Sequence, residues 1–412
     1  MALDFPAQER IQALLDRGVK IPNPLTLDVG PEVRPDRIAA GVTIHPGCRI
    51  RGAKTVIAPG ATLGVEGPVT LDDCQVGPGV ELKAGFFQKA TFLAKANLGL
   101  GAHVREGCLL EEEAGGAHCV GLKQTILFPF VTLGSLINFC DCLMAGGTSR
   151  KNHSEVGSSY IHFNFTPDGD KTTPSLIGDV PRGVMLNQPP IFLGGQGGMV
   201  GPLRLGFGTV VAAGSILRKD HPEDGKLIVE TAPRSFAVNH APGQYPALAR
   251  IVQNNVLYLA NLIALEHWYR QARRPFFARQ ELGEELWAGA LDKLALAKKE
   301  RLSRLGKLVD HMPRLIEAGG GNPSDPHAAR KRQLLERKDA LLGLLGGPLG
   351  AETDFKDRDA LLDALDGSGR EDYVEMIQAL PTAAKLAGTA WLQAIVNEVC
   401  RKAWDVAPAF GM

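Results

Sequence analysis

A six-residue repeat of aliphatic side chains runs through much of the chain and constrains its fold more than any other feature. The repeat is clearest in the stretch LGFGTVVAAGSIL, where Leu205, Val211 and Leu217 are six residues apart. This spacing is typical of a β-helix in which each hexapeptide forms one side of a triangular coil. The aliphatic side chain points into the narrow core, and a small residue such as Gly206 fits the corner. The sequence therefore predicts a left-handed parallel β-helix.

The same spacing predicts where the β-helix begins and ends. Ile38 and Ile44 are the first members of the series, and the last coils end near Pro233. We therefore expect the β-helix over residues 38–233, with breaks in phase that indicate loops inserted at coil corners. Residues 1–37 are predicted to form a short amphipathic helix and a proline-rich lead-in.

The pattern changes after Pro246, where apolar residues follow helical spacing. Leu282–Leu315 is predicted to be a long charged helix, and Pro326 follows two polar capping residues at the start of another helix. Residues 246–412 are therefore predicted to form an α-helical domain. The expected fold class is mainly β with an α-helical C-terminal domain.

Composition argues against several classes of partner. Lys and Arg number 45, and Asp and Glu also number 45, so the net charge gives no support for binding nucleic acid or an anionic membrane. The most apolar run, Val256–Leu265, is too short to span a bilayer. The seven cysteines show no disulfide framework, and the first residues lack the apolar segment of an export signal. We therefore expect reduced thiols and a cytoplasmic location.

Three segments carry a resemblance to a known family. They are VREGCLLEEEAGGAHCVGLK from Val104, FNFTPDGDKTTPSLIGD from Phe163, and the hexad stretch from Leu205. Residues 98–240 resemble the acetyltransferase half of the bacterial bifunctional N-acetylglucosamine-1-phosphate uridyltransferase/glucosamine-1-phosphate acetyltransferase. The uridyltransferase domain is expected to be absent, because no Gly-rich, Arg-bearing nucleotide motif occurs near the start. The resemblance implies a homotrimer that binds a sugar phosphate or a nucleotide sugar, such as UDP-N-acetylglucosamine.

The resemblance also implies substrate-binding residues. Arg105 and Lys123 match a family pair that grips the sugar phosphate, and two cations that converge on one dianion form charge-assisted hydrogen bonds. Asn164 and Lys171 match a loop asparagine and a sugar-contacting lysine, and Asn138 occupies the place of a sugar-binding tyrosine. The two cations could instead be solvated residues on the coil faces. No pattern in the sequence predicts a metal site.

The residues that the family uses for acyl transfer are less well matched. The family's catalytic histidine is replaced by Ser135, and a serine without an adjacent base cannot accept a proton near neutral pH. His162, His153 or His118 could replace the base. His162 is the leading candidate because it is two residues from Asn164, although any of the three could be an ordinary hydrogen-bonded coil residue.

Contacts to the acyl donor are also altered. Ala212 and Ala213 match a small pair that faces the coenzyme, but an arginine for the coenzyme phosphate is replaced by Thr231, with Arg234 nearby. We therefore expect a transferase-like protein that binds a sugar phosphate or nucleotide sugar. Acetyl-CoA or another acyl-CoA is a possible co-substrate, and we expect little acetylation of glucosamine-1-phosphate. The alternative is a non-catalytic trimeric scaffold whose helical domain binds a protein partner.

Overall fold

The chain winds into a triangular β-helix, and its C-terminal helices pack along one side. The computed structural model describes residues 5–166, 169–232, 235–237, 239, 245, 247–318, 326–347, 356–367 and 370–411. Three parallel sheets form the sides of the prism, with ten, ten and eight strands. The predicted left-handed β-helix with a C-terminal helical region is confirmed.

Each turn of the chain passes through sheet I, then sheet II, then sheet III. Sheet I contains β2 (Thr43–Ile44), β5 (Thr62–Leu63), β8 (Glu81–Leu82), β11 (Asn97–Leu98), β14 (Gly115–Gly116), β17 (Thr132–Leu133), β22 (Glu155–Val156), β25 (Phe192–Leu193), β28 (Val210–Val211) and β30 (Leu227–Ile228). Sheet II contains β1 (Asp28–Val29), β3 (Arg49–Arg51), β6 (Val69–Asp72), β9 (Gly85–Gln88), β12 (Ala102–Val104), β15 (Gly121–Lys123), β18 (Asn138–Cys140), β23 (Ile161–Phe163), β26 (Gly198–Val200) and β29 (Ile216–Leu217). Sheet III contains β4 (Val56–Ile57), β7 (Gln75–Val76), β10 (Ala90–Phe92), β13 (Cys108–Leu110), β16 (Ile126–Leu127), β19 (Cys142–Met144), β24 (Ser175–Ile177) and β27 (Arg204–Leu205).

The core of the prism is a stack of aliphatic and aromatic side chains. In sheet II, Val104 pairs with Leu122 and Leu122 pairs with Phe139, so the three side chains lie above one another in successive turns. All three are buried. An antiparallel hairpin of β20 (Gly147–Ser149) and β21 (Asn152–His153) projects between sheets III and I, which accounts for a break in the hexad phase.

The β-helix begins earlier than residue 38. Lys20 forms a parallel bridge with Thr43, and β1 pairs with β3. Ile21, Leu27 and Val33 are buried and are six residues apart, so the proline-rich lead-in is itself the first turn. Its prolines lie at corners, where they obscure the repeat without interrupting it.

Helices occur before, within and after the coil. A first helix, α1 (Phe5–Asp16), precedes the coil, and α2 (Val180–Gly183) lies within it. The C-terminal helices are α3 (Leu248–Trp268), α4 (Arg274–Ala278), α5 (Gly283–Asp310), α6 (Met312–Ala318), α7 (Pro326–Glu336), α8 (Lys338–Gly346), α9 (Lys356–Asp366), α10 (Tyr373–Ala379) and α11 (Thr382–Val406). The stretch predicted as one helix over Leu282–Leu315 is divided between α5 and α6.

One helical stretch continues through a proline. A π-helical turn at Tyr269–Arg273 joins α3 to α4, so the helix runs past Pro275. The stretch Leu248–Ala278 is long and apolar enough to cross a membrane, but 72% of its most apolar window is buried inside the protein. It therefore serves as the central helix of the C-terminal domain.

The C-terminal helices cover sheet III. Helix α5 packs against β7, β10 and β13, and α3 packs against β24. Apolar residues of both helices meet the outward side chains of sheet III, which removes that side of the prism from solvent. In the described part of the chain the C-terminal helices leave sheets I and II uncovered, and α1 contacts sheet II at its first strand, β1. The edge between sheets II and III lies directly beside α5.

Candidate functional site

Arg105 and Lys123 lie above one another at the end of sheet II. Val104 pairs with Leu122, so the residues that follow them occupy equivalent positions in consecutive turns. Neighbouring strands are about 4.8 Å apart, so the two side chains leave the same edge close together. The spacing between these two cations in the sequence is therefore the length of one turn of the β-helix.

The next turn adds a polar and a thiol side chain above this pair. Asn138 pairs with Gly121, and Cys140 pairs with Lys123. Because Gly121 has no side chain, the surface below Asn138 is open. Arg105 Nη2 lies 4.0 Å from Cys140 Sγ, which places the guanidinium across the end of three stacked strands.

A loop after β23 returns over the same edge and brings Asn164 and Lys171 to it. The backbone N–H of Lys171 donates to Thr166 Oγ1 at 3.1 Å. Asp170 accepts from the backbone N–H of Thr172 at 2.9 Å, which holds the loop end in a turn. Lys171 has a φ of 55°, so the chain reverses there.

Helix α5 closes the site from the side of sheet III. Together these elements surround a cavity of about 150 Å³, lined by Arg105, Lys123, Asn138, Cys140, Asp141, Asn164, Lys171, Glu300 and Arg304. We call it the edge cavity. All five residues that the sequence predicted for substrate binding line it. Glu300 and Arg304 were missed, because nothing in a helical pattern shows which residue meets a distant strand.

A buried ion pair forms the floor beside this cavity. Arg301 Nη2 donates to Asp141 Oδ1 at 2.6 Å, and Arg301 Nη1 donates to the Lys171 carbonyl at 3.3 Å. Burial raises the pKa of Asp141, and Arg301 opposes that shift. Arg301 thus anchors both the corner after β18 and the loop that carries Lys171.

The charge in the edge cavity is predominantly positive. Lys123 Nζ lies 2.8 Å from Glu106. Burial raises the pKa of Glu106, but the hydrogen bond from Lys123, a backbone hydrogen bond and the charges of Lys123 and Arg105 together outweigh burial, and the pKa is lowered overall. Arg304 is paired with Glu300 at 2.8 Å. Within the described residues Arg105 has no carboxylate partner, so its charge is available to an anion.

Ser135 lies at the other edge of sheet II, outside the edge cavity. It follows β17, at the corner where the chain passes from sheet I to sheet II, and is half-buried. Its hydroxyl lies 2.9 Å from His118 Nδ1, in the turn below. His118 is one of three candidate bases in the sequence, and only the register of the coil shows that this histidine and Ser135 are neighbours.

His162 lies inside the prism. In β23, Ile161 and Phe163 face outward and His162 faces inward, with 2% of its surface exposed. Its Nε2 lies 2.8 Å from Ser175 Oγ, and burial lowers its pKa to about 3. An enclosed imidazole cannot contact a solute on the outer surface. This position argues against the expectation that His162 replaces the missing base.

The predicted acyl-donor residues lie higher on the coil. Ala212 and Ala213 follow β28, and Ala213 is exposed at the same corner of the prism as Ser135. Thr231 is exposed beyond β30. Arg234 lies outside the described residues.

Comparison with known proteins identifies relatives of this chain. No protein-family model matches it. It is similar to the "Bifunctional protein GlmU" of Clavibacter sepedonicus, with 30% identity over 209 residues, 51% of this chain and 38% of that protein. The protein of the same name from Synechococcus elongatus is 26% identical over 233 residues, 56% of this chain and 46% of the relative. The chain is thus similar to GlmU over about half of its own length.

The relationship covers about half of the chain and less than half of each of these relatives. The "Bifunctional protein GlmU" of Trichlorobacter lovleyi is 29% identical over 189 residues, and the match again covers less than half of the relative, 36% of its length. The relatives and the β-helix together support a hexapeptide-repeat, transferase-like protein, as the sequence predicted.

Proposed function

We propose that the edge cavity binds the phosphate of a sugar phosphate, and that the protein is a transferase acting on that sugar. The observation that carries the proposal is the convergence of Arg105, Lys123, Asn138, Asn164 and Lys171 on one cavity. A phosphate dianion between Arg105 and Lys123 would receive charge-assisted hydrogen bonds from two adjacent turns. Asn138 and Asn164 would then face the sugar hydroxyls, which both donate and accept hydrogen bonds.

The size of the edge cavity favours a sugar phosphate over a nucleotide sugar. Its volume of about 150 Å³ is below the roughly 300–1,000 Å³ of sites that enclose drug-sized ligands. A phosphate fits inside, and the sugar would extend along the outer face of sheet II toward Asn138. A uridine diphosphate group would have no enclosed space.

The alternative role, a non-catalytic scaffold, receives less support. A tail that recruits a partner should leave an apolar surface free. Instead, the helices bury their apolar faces against sheet III, and α5 supplies two residues to the edge cavity. The helical domain is therefore better explained as part of the small-molecule site.

Exposed apolar side chains support a homotrimer formed through the two uncovered sheets. They are Phe192, Val210 and Leu227 on sheet I, Ile161, Phe163 and Val200 on sheet II, and Val65, Leu100 and Leu136 at the edge between the two. Monomeric proteins seldom expose apolar side chains in contiguous rows. Because α5 and α3 occupy sheet III, sheets I and II are the faces available to neighbouring copies.

Isothermal titration calorimetry with glucosamine-1-phosphate tests the proposal. The wild-type protein should bind it, and Arg105→Ala should weaken binding by about 1.5–3 kcal/mol, the usual contribution of a hydrogen bond to a charged group. Arg37→Ala, which removes a half-buried arginine that donates to the Ala53 carbonyl, far from the edge cavity in sequence, provides the matched control. If the wild-type protein binds neither glucosamine-1-phosphate nor N-acetylglucosamine-1-phosphate, the proposal is wrong.

A further inference from the structure

The edge between sheets I and II carries a vertical row of equivalent corner residues. Strand register places Gly116 beside Leu133, Leu133 beside Val156, Val156 beside Leu193 and Leu193 beside Val211. The residues two positions further along therefore stack in successive turns, and we call them the corner row: His118, Ser135, Ser158, Gly195 and Ala213.

Backbone hydrogen bonds fix the corner row. The N–H of Leu136 donates to the His118 carbonyl at 3.1 Å, and the N–H of Ser159 donates to the Ser135 carbonyl at 2.8 Å. Leu136 and Ser159 have φ values of 60° and 61°, so consecutive turns share the same corner geometry. The relative positions of these side chains are therefore set by the coil and not by a free loop.

Within this row, Ser135 is held between two polar neighbours. Its Oγ lies 2.9 Å from His118 Nδ1, and its backbone N–H donates to Ser158 Oγ at 3.2 Å. His118 is exposed and Ser135 is half-buried, so a solute can reach both. A hydroxyl that donates to imidazole Nδ1 leaves its own lone pairs available to accept a proton.

Ser135 and His118 also lie between two cavities on different faces of the prism, the edge cavity and a groove on sheet I. On sheet II, Asn138 lines the edge cavity and is three residues after Ser135, at most about 11 Å away along an extended chain. On sheet I, His118 lines an open groove of about 360 Å³ whose floor includes Gly115 and Gly116. Ala213, the exposed alanine predicted to face the acyl donor, belongs to the corner row itself.

We propose that His118, acting through the Ser135 hydroxyl, is the base for acyl transfer to a sugar amine. This inference rests on the proposed function, because it places the sugar phosphate with its phosphate in the edge cavity and its amine at Ser135. The groove on sheet I then receives the acyl thioester. The two substrates meet at the corner row.

The proposed step balances as follows. The amine nitrogen forms a bond to the thioester carbonyl carbon, and the carbon–sulfur bond breaks so that the thiolate leaves with the electron pair. The amine proton passes to Ser135 Oγ while the Ser135 proton passes to His118 Nδ1. The thiolate is finally protonated by the imidazolium, directly or through water, which returns His118 to its neutral form.

The other histidines considered from the sequence fit this role less well. His162 is enclosed in the core. His153 lies on the hairpin between sheets III and I, where Nδ1 faces the Arg150 carbonyl at 2.9 Å and Nε2 lies 3.7 Å from Glu155. Of the three, His118 alone contacts Ser135.

The test is thiol release from acetyl-CoA in the presence of glucosamine-1-phosphate. From the sequence alone we expect little acetylation of glucosamine-1-phosphate, but the contact between Ser135 and His118 supplies a base, and the structure leads us to expect turnover by the wild-type protein. His118→Ala should lower kcat by about 10²–10⁴-fold, the usual contribution of a positioned base. KM for glucosamine-1-phosphate should stay unchanged, and free imidazole should restore part of the rate. His45→Ala, at a half-buried histidine several turns below, is the matched control.

A double substitution separates a chemical role from a structural one. Ser135→His places an imidazole at the position of the hydroxyl, so adding His118→Ala to that variant should cost little further activity. If wild-type turnover survives His118→Ala, or if imidazole restores nothing, the inference is wrong. If the wild-type protein binds glucosamine-1-phosphate but releases no thiol, the inference also fails while the proposed binding function stands. If the wild-type protein does not bind glucosamine-1-phosphate, both the proposed function and this inference are wrong.

Discussion

Arg301 of helix α5 donates to the carboxylate of Asp141 at 2.6 Å, across 160 residues of sequence. Both side chains are buried, so neither charge is solvated and each depends on the other. The pair joins the helical domain to the corner of the β-helix at which the edge cavity forms. Integrity of the cavity is therefore coupled to docking of the helices.

Breaking this pair should destabilise the protein strongly. Arg301→Ala leaves the Asp141 carboxylate buried without its partner, which typically costs about 3–5 kcal/mol. The double variant with Arg301→Leu and Asp141→Asn should lose less unfolding free energy than either single substitution that leaves one charge buried alone. In the double variant no isolated charge remains. Urea denaturation measures these differences. Arg304→Ala, one helical turn further along α5, should change stability by less than about 1 kcal/mol.

Stability should decrease as pH rises toward neutrality because of Glu111. This carboxylate is buried at the edge between sheets III and I, 3.0 Å from Arg273, which also pairs with Glu112. Burial, opposed by Arg273, raises the pKa of Glu111 from 4.5 to about 7. The folded state therefore binds more protons between these values, and the unfolding free energy falls through that interval by at most about 1.4 kcal/mol per pH unit.

Glu111→Gln removes the proton uptake of this group and should reduce the slope of unfolding free energy between about pH 5 and pH 7. Part of the slope should remain, because burial also raises the pKa of Glu112 and of Asp141. The matched control is Glu113→Gln, two residues further along the same corner, which should retain the slope. A wild-type protein whose unfolding free energy rises across the interval, with Glu111→Gln unchanged, would contradict the assignment.

Binding of a phosphate ester should respond in opposite directions to two changes on α5. Arg304→Ala removes a cation from the edge cavity and should weaken glucosamine-1-phosphate binding by about 0.5–1.5 kcal/mol. Glu300→Gln removes the carboxylate paired with it and should strengthen binding, since an anion then meets less repulsion. Calorimetry at two salt concentrations measures both, and the difference should shrink at high salt. Equal effects of the same sign would show that α5 does not face the ligand.

Assembly should depend on the apolar residues of sheets I and II. Multi-angle light scattering should give three times the mass of one chain for the wild-type protein. Leu136→Asp introduces a charge at the edge between these sheets and should shift the mass toward that of a monomer. Leu386→Asp, on an exposed face of α11, is the control and should leave the mass unchanged. A wild-type monomer at micromolar concentration would contradict the trimer.

The sequence predicted the β-helix because a short local pattern specifies it, an inward-facing aliphatic residue at every sixth position. Leu205, Val211 and Leu217 repeat at the length of one prism side, and all three point inward. The convergence of Arg105 and Lys123 follows from the same pattern, since residues one turn apart must stack. The first turn was missed because prolines obscured Ile21 and Leu27.

What the sequence could not provide was the direction of individual side chains and the docking of the helices. His162 is near Asn164 in sequence but faces inward, while outward Ile161 and Phe163 reverse the usual alternation of polar and apolar residues. His118 becomes a neighbour of Ser135 only when the register of the corner is known. Arg301 has no local signal, because its partner lies in a different domain.

Most solenoids can change length by gaining or losing a turn, because each turn contacts only its neighbours. Here α5 is fastened at two heights: Lys293 Nζ donates to Gln75 Oε1 at 3.1 Å, and Arg301 donates to Asp141 several turns above. Adding one turn between these points would separate them by a further 4.8 Å or so, and one buried bond would have to break. The two contacts of α5 therefore fix the number of β-helix turns between Gln75 and Asp141. Added sequence can be accommodated at corners beyond the reach of α5, as in the β20–β21 hairpin.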